Sequence, residues 1–283
     1  MTFHLLARPH HPAAPASGMV WKMLFDRQQA LLHRWVRPEF GRALAELGLR
    51  RDTLPNLASL RQLIYQRTGW TLLLTGTPVA EAVYYAALAR RELPVVSRLR
   101  TFSEFDQPPG GPDLFSEVFG QLPLLLEAGY ADALQALGQA WELATTPAAM
   151  ALLRRFAQAT FEQGLLAAPG GRPHVYGTTL LTAARQLHVL AAAELAHYRP
   201  LAGAARHLSL LAAPAAGLAA GPPTYFVAQS WAELSAELAQ LRTELRQAQR
   251  PEVGSHVLAA PPTNVDGRAH AFAARLSNLR QAG

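Results

Sequence analysis

Residues 112–123 contain side chains whose types and spacing could do chemistry. Ser116 offers a neutral hydroxyl and Gln121 an amide oxygen, five positions apart on a predicted helix for which Asp113 is the expected N-cap. Both groups are weak metal ligands compared with imidazole, which suits divalent metals of intermediate softness. Glu117 and Glu162 are candidate acid–base groups. These residue types favour ligand binding or acid–base chemistry over a metal held by histidines.

Histidines elsewhere in the chain do not form a convincing metal-binding pattern. His188 and His197 are nine positions apart on one predicted helical stretch, so they do not make an i, i+4 ligand pair. His174 lies in a short predicted strand before them. We therefore predict structural or surface roles for all three, and we expect no metal ligands among them.

Composition indicates a globular protein without cysteine chemistry. The 283 residues are 50% hydrophobic and 16% charged, which suits a well-buried core. The absence of cysteine excludes disulfides, thiolate nucleophiles and cysteine-held zinc or iron–sulfur centres. We expect one domain over residues 18–250, a flexible lead-in over residues 1–17 and a loose tail over residues 251–283.

The charge pattern argues against nucleic acid and membrane partners. The net charge is +6, but the arginines are scattered singly or in pairs, with no stripe of basic and aromatic residues. The most apolar stretch, residues 208–220, is short and is broken by Pro214 and Gly217. The N-terminus lacks the basic start of a signal peptide. We therefore expect a cytoplasmic protein.

Hydrophobic periodicity predicts a mainly α fold with a few short β-strands (α+β). Apolar residues recur at helical spacing in many segments, whereas β-type runs are short and end at Gly or Pro. Helices are expected over residues 19–49 with a break at Pro38, and over 57–65, 79–91, 132–143, 147–166, 180–195, 231–249 and 269–279. Strands are expected over residues 70–74, 93–99, 174–176 and 224–227.

Several separate blocks, in the same order, resemble the pterin-dependent aromatic amino acid hydroxylase family. The first is the segment around Ser116 and Gln121. There the family has the twelve-residue pattern Pro-Asp-aliphatic-aromatic-His-acid-x-(aromatic/Leu)-Gly-His-aliphatic-Pro, which matches residues 112–123. The others are residues 68–70, 84–85, 88–95, 99–100, 160–165, 176–182 and 224–231. The resemblance implies a single domain of this family's catalytic type.

The resemblance implies that this chain lacks the family's iron ligands. In the family, two histidines and one glutamate bind Fe(II), and reduced pterin and oxygen then generate the hydroxylating oxidant. Ser116 and Gln121 stand at the two histidine positions, and only Glu162 matches a ligand. We therefore expect this chain to bind no metal and no cofactor, although members of the family use iron and tetrahydropterin.

The organic pockets implied by the resemblance are better preserved. Arg100 matches the arginine that clamps the substrate carboxylate, with a structural or surface ion pair as the alternative. Thr182 replaces a serine of the substrate pocket, and Thr179 replaces a glycine, which narrows it. Tyr84 keeps an aromatic ring, and Glu117 an acid, where the family contacts pterin. Core packing is the alternative for Tyr84, and a solvated helix charge for Glu117.

Three functions follow as hypotheses. The first is a member without hydroxylase activity that binds an aromatic amino acid-like ligand or a protein partner. The second is an enzyme of altered, iron-independent chemistry in the same cavity, and the third is residual hydroxylation through an unusual metal site. Separately, leucines spaced four, three and four apart in residues 231–249 form a short seam. Packing on the chain's own domain is expected for this seam, with dimer formation as the alternative.

Overall fold

Helices dominate the fold, as the sequence pattern predicts. The computed structural model describes residues 15–106, 111–169, 171–194, 197–204 and 223–248. Its helices are α1 (Pro15–Leu32), α2 (Pro38–Glu46), α3 (Leu57–Thr68), α4 (Glu81–Ala89), α5 (Leu122–Leu125), α6 (Ala128–Trp141), α7 (Pro147–Ala157), α8 (Thr178–Thr182), α9 (Ala184–Ala191) and α10 (Trp231–Ala248). A 3-10 turn spans Phe102–Glu104, and π-helical turns span Ser116–Gln121 and Gln158–Glu162.

Within the described residues, six short strands form two small sheets. They are β1 (Thr71–Thr75), β2 (Glu92–Val96), β3 (Leu165–Leu166), β4 (His174–Val175), β5 (Tyr198–Pro200) and β6 (Tyr225–Ala228). Strands β1 and β2 pair in parallel, and the second sheet has the order β4-β3-β6-β5. Within it, β3 runs antiparallel to β4 and parallel to β6. The two strands that sequence periodicity missed, β3 and β5, are two and three residues long.

Two predicted long helices are interrupted. The helix expected over residues 147–166 ends at Ala157, and the chain continues through a π-helical turn into β3, which pairs with two other strands. The helix expected over residues 180–195 is divided at Ala183, whose backbone is extended. Both predictions were wrong because pairing and packing outweigh local helix propensity.

An aromatic cluster holds the segment that carries Ser116. Phe115 and Phe119 are fully buried, and their rings stack with centroids 4.8 Å apart. Trp21 of α1 meets Phe115 edge-on at 5.4 Å, and Phe25 meets Phe119 edge-on at 5.2 Å. Since each aromatic contact adds to the burial of large apolar surface, the first π-helical turn is firmly seated on α1.

The leucine seam of α10 packs inside the domain. Leu234, Leu238, Leu241 and Leu245 are all buried, and α10 lies against α6. In this arrangement the leucines are covered by the chain's own residues. The other expectations for residues 1–14 and 251–283, including the helix over 269–279, lie outside the described residues. Within the part that is described, no helix is long and apolar enough to cross a bilayer.

Candidate functional site

The three positions that the resemblance matches to iron ligands lie on two π-helical turns. Ser116 and Gln121 are the first and last residues of one turn, and Glu162 is the last residue of the other. Such turns are rare and occur frequently at functional sites. Gly120 lets α8 approach the first turn closely, because a Cβ at this position would lie 2.5 Å from the Thr182 methyl group. The first turn and α8 are therefore closely packed at this position.

A single cavity gathers the candidate residues. Its volume is about 590 Å³, which is within the range of small-molecule sites. Its wall includes every candidate that the sequence singled out: Tyr84, Arg100, Ser116, Glu117, Gln121, Glu162, Thr179 and Thr182. Strands β1 and β2, helices α4 and α8 and the two π-helical turns supply the lining. Residues that are more than 90 positions apart in the chain are thus brought to one hollow.

Arg100 forms a buried ion pair with Asp113 at the cavity wall. Its Nε and Nη2 donate to the two carboxylate oxygens of Asp113, each at 2.8 Å, and the two side chains are 2% and 1% exposed. Nη2 also donates to Ser116 Oγ at 3.2 Å, and Nη1 donates to the Phe105 carbonyl at 3.4 Å. The structural ion pair that was the alternative for Arg100 is therefore present. One fork of the guanidinium faces Asp113 rather than the cavity.

The Ser116 hydroxyl belongs to the same network. It donates to Asp113 Oδ1 at 2.8 Å while it accepts from Arg100. Asp113 Oδ1 also accepts from the Ser116 backbone N–H at 3.0 Å, so Asp113 caps this segment as predicted. Burial alone would raise the pKa of Asp113. The hydrogen bonds and the charge of Arg100, together with the hydrogen bonds from Ser116, hold that pKa below its usual value. Sequence reasoning recognised Asp113 only as a cap and missed its pairing with Arg100.

The Gln121 side chain lies near the Tyr84 phenol. Burial, followed by the charge of Glu117, raises the pKa of this phenol, and Gln121 acts in the opposite direction. The Tyr84 ring meets Tyr85 edge-on at 5.5 Å, and Tyr85 stacks on Trp141 at 4.4 Å. The Tyr84 ring is therefore held in place by further rings.

Glu117 is a buried carboxyl that lacks a hydrogen-bond partner. The residue is 4% exposed, and its Oε2 has no partner among the described residues. Burial, followed by the nearby charge of Asp113, raises its pKa to about 8. The alternative of a solvated helix charge is wrong, because the side chain is buried. A carboxyl in this state donates a hydrogen bond at neutral pH as readily as it accepts one.

The remaining carboxyls of the cavity differ in their partners. Glu81 receives two contacts from Arg154, Nε to Oε1 and Nη2 to Oε2, each of 2.6 Å. Glu162 is exposed to the cavity and forms no ion pair or hydrogen bond within the described part of the chain. Partial desolvation by the surrounding protein nevertheless raises its pKa. Glu162 is thus an accessible carboxyl without a cationic neighbour.

The two threonines narrow the cavity at α8. Thr182 is buried and its hydroxyl donates to the Thr178 carbonyl at 2.7 Å, so that only its oxygen lone pairs remain for a ligand. Thr179 is partly buried and lines the hollow beside it. The histidines lie elsewhere: neither His174 of β4, His188 of α9 nor His197 lines this cavity. Across the described residues no group of three or more His, Cys, Asp and Glu side chains could hold a metal.

The fold and the sequence together establish the family. Residues 14–252 match the biopterin-dependent aromatic amino acid hydroxylases, and the chain belongs to this family. It is 32% identical over 177 residues to a phenylalanine-4-hydroxylase of Ralstonia nicotianae, a match that covers 62% of this chain and 56% of the relative. A phenylalanine-4-hydroxylase of Caulobacter vibrioides is 33% identical over 163 residues, 58% of this chain and 55% of that protein. The chain thus spans a little over half the length of these relatives.

Solved structures show the same architecture. The phenylalanine hydroxylase of Chromobacterium violaceum with bound iron(III) and oxidised cofactor 7,8-dihydrobiopterin superposes with a TM-score of 0.70 at 26% identity, covering 84% of each chain. The iron- and phenylalanine-bound structure of that enzyme gives a TM-score of 0.68 at 26% identity, covering 84% of this chain and 85% of the other. The mainly helical fold that the resemblance implied is confirmed.

Proposed function

We propose that this chain binds a small aromatic ligand in its cavity and does not carry out iron-dependent hydroxylation. The observation that carries the proposal is the engagement of Ser116, whose hydroxyl is hydrogen-bonded to both Arg100 and Asp113. A hydroxyl and an amide are poor ligands for ferrous iron even when free. Ser116 is also held by its two protein partners, so the residues present do not fit an iron ion.

Support for ligand binding comes from the size and lining of the cavity. The hollow has a ring-lined wall at Tyr84 and Tyr85 and contains the buried Glu117 carboxyl. Its volume of about 590 Å³ accommodates a small aromatic molecule without a metal. A relative with the same architecture has been solved with iron and phenylalanine bound.

Iron loading, product formation and thermal shift test the proposal together. After anaerobic exposure to Fe(II) and desalting, we expect far less than one iron per chain, and no tyrosine from phenylalanine and tetrahydropterin. An aromatic ligand at 100 times its Kd should add about 2.7 kcal/mol to the free energy of unfolding, which raises Tm by several degrees. Stoichiometric iron or pterin-coupled tyrosine formation would overturn the proposal.

An altered reaction in the same cavity stays a second prediction. Glu117 and Glu162 both line the hollow and both have raised pKa values, as acid–base groups near neutrality require. Product analysis of the Glu162→Gln variant against wild type, after incubation with the ligand that thermal shift selects, would separate a catalyst from a binding protein.

A further inference from the structure

The charges around the cavity are unevenly paired. Arg100 is bound by Asp113, and the Glu81 carboxylate is bound by Arg154 outside the hollow. Glu117 and Glu162 have no cationic partner anywhere in the described residues. The cavity therefore presents two carboxyl groups to a ligand, whereas Arg100, the only basic residue in the described part of its lining, is already matched by an acid.

Arg100 has little capacity left for a ligand carboxylate. A guanidinium binds a carboxylate best through two parallel N–H bonds. The Nε and Nη2 fork is taken by Asp113, and the second Nη2 bond goes to Ser116. A carboxylate that sought two bonds from Nη1 and Nη2 would have to displace the Ser116 hydroxyl. The Ser116 hydroxyl therefore limits what Arg100 can bind.

The aromatic wall suits an organic cation. Tyr84 and Tyr85 line the hollow, and their rings are fixed by edge-on and stacked contacts. An ammonium group near the face of such a ring is attracted by the ring quadrupole. Glu162, which is exposed to the same hollow, supplies the carboxyl oxygen for a charge-assisted hydrogen bond.

From this pairing of groups we infer that the preferred ligand class is an arylalkylamine, an aromatic ring with an ammonium group and no carboxylate. The inference rests on the proposed ligand-binding function and specifies its ligand. Glu162 contacts the ammonium group of the ligand, and Tyr84 and Tyr85 contact its ring. The Arg100–Asp113–Ser116 network forms part of the cavity wall and makes no ion pair with the ligand. An α-amino acid would place its carboxylate against this closed wall and beside two further carboxyl groups.

Calorimetric titration with three probes that share one ring tests the inference: 2-phenylethylamine, phenylalanine and 3-phenylpropionate. We expect the amine to bind most tightly, phenylalanine at least tenfold more weakly, and the acid weakest. Tighter binding of phenylalanine than of the amine would overturn the inference and leave the proposed function standing. If none of the three binds at millimolar concentration, both the inference and the proposed function fail.

Two variants identify the groups responsible. Glu162→Gln should weaken binding of 2-phenylethylamine about tenfold, because a charge-assisted hydrogen bond becomes a neutral one. Glu46→Gln, an exposed glutamate paired with Arg67 outside the cavity, is the matched control and should leave the affinity unchanged. Ser116→Ala should strengthen phenylalanine binding, since it frees an Nη2 hydrogen of Arg100. Unchanged amine affinity in folded Glu162→Gln protein would overturn the assignment of Glu162.

Discussion

Arg100 and Asp113 meet through two parallel hydrogen bonds of 2.8 Å inside the protein. Their side chains are almost fully buried, and the pair fastens the loop after β2 to the start of the first π-helical turn. Ser116 joins the pair through both of its hydrogen-bonding roles. Ser116, which the resemblance matches to an iron-ligand histidine of the family, is therefore part of an ion-pair network in the cavity wall.

Removing one partner of this pair should be costly. Asp113→Ala leaves the Arg100 charge buried without compensation, and we expect a loss of about 3 kcal/mol in the free energy of unfolding. Asp132→Ala is the matched control, because Asp132 pairs with Arg91 at an exposed site and should cost about 1 kcal/mol or less. Denaturant titration measures both. Equal losses in the two variants would show that burial does not govern the Arg100 pair.

The Glu117 carboxyl should give the protein a characteristic pH dependence. Since burial raises its pKa from 4.5 to about 8, the folded state binds this proton more tightly than the unfolded state does. The resulting stability is fully present below about pH 4.5 and is lost as the pH rises towards 8. In Glu117→Gln, the loss of free energy of unfolding between pH 5 and pH 8 should be smaller than in the wild type by about 1 to 3 kcal/mol. Parallel stability–pH curves for the variant and the wild type would contradict the assignment.

Gly120 should tolerate no side chain while Thr182 faces it. Gly120→Ala places a Cβ 2.5 Å from the Thr182 methyl group, and we expect a cost of about 1 to 3 kcal/mol. Gly41→Ala, in open space on α2, should instead stabilise by about 0.5 to 1 kcal/mol. Thr182→Ser removes the clashing methyl, so the double variant with Gly120→Ala should recover stability beyond additivity. Strict additivity would indicate that the backbone shifts instead.

Restoring both histidines should restore an iron site. With Ser116→His and Gln121→His, two imidazoles join Glu162 on the retained π-helical turns, and we expect close to one Fe(II) per chain after anaerobic loading. The double variant loses the hydrogen bonds of the Ser116 hydroxyl, at roughly 1 kcal/mol for each bond. Each single variant is a control and should bind much less iron. A folded but iron-free double variant would mean that the two positions do not converge on Glu162.

Sequence patterns predicted the helices well because long amphipathic segments carry their own periodic signal. Strands β1 and β6 were also predicted, each bounded by recognisable turn residues. Strands β3 and β5 were not, since two- and three-residue runs have no measurable period. The break at Ala183 was missed for a related reason: no Gly or Pro marks it, and tertiary packing determines it.

The amino-acid sequence by itself determined the family and placed Ser116 and Gln121 where the resemblance expects histidines, because both results depend only on residue types in a given order. Tertiary structure alone decided what the replacements do. The pairing of Arg100 with Asp113, the attachment of Ser116 to that pair and the contact of Gln121 with Tyr84 depend on distances between separate elements. The isolation of the Glu117 carboxyl likewise follows from burial, which residue order does not specify. Hydrogen bonds and desolvation act over a few ångströms, and only the folded chain sets those separations.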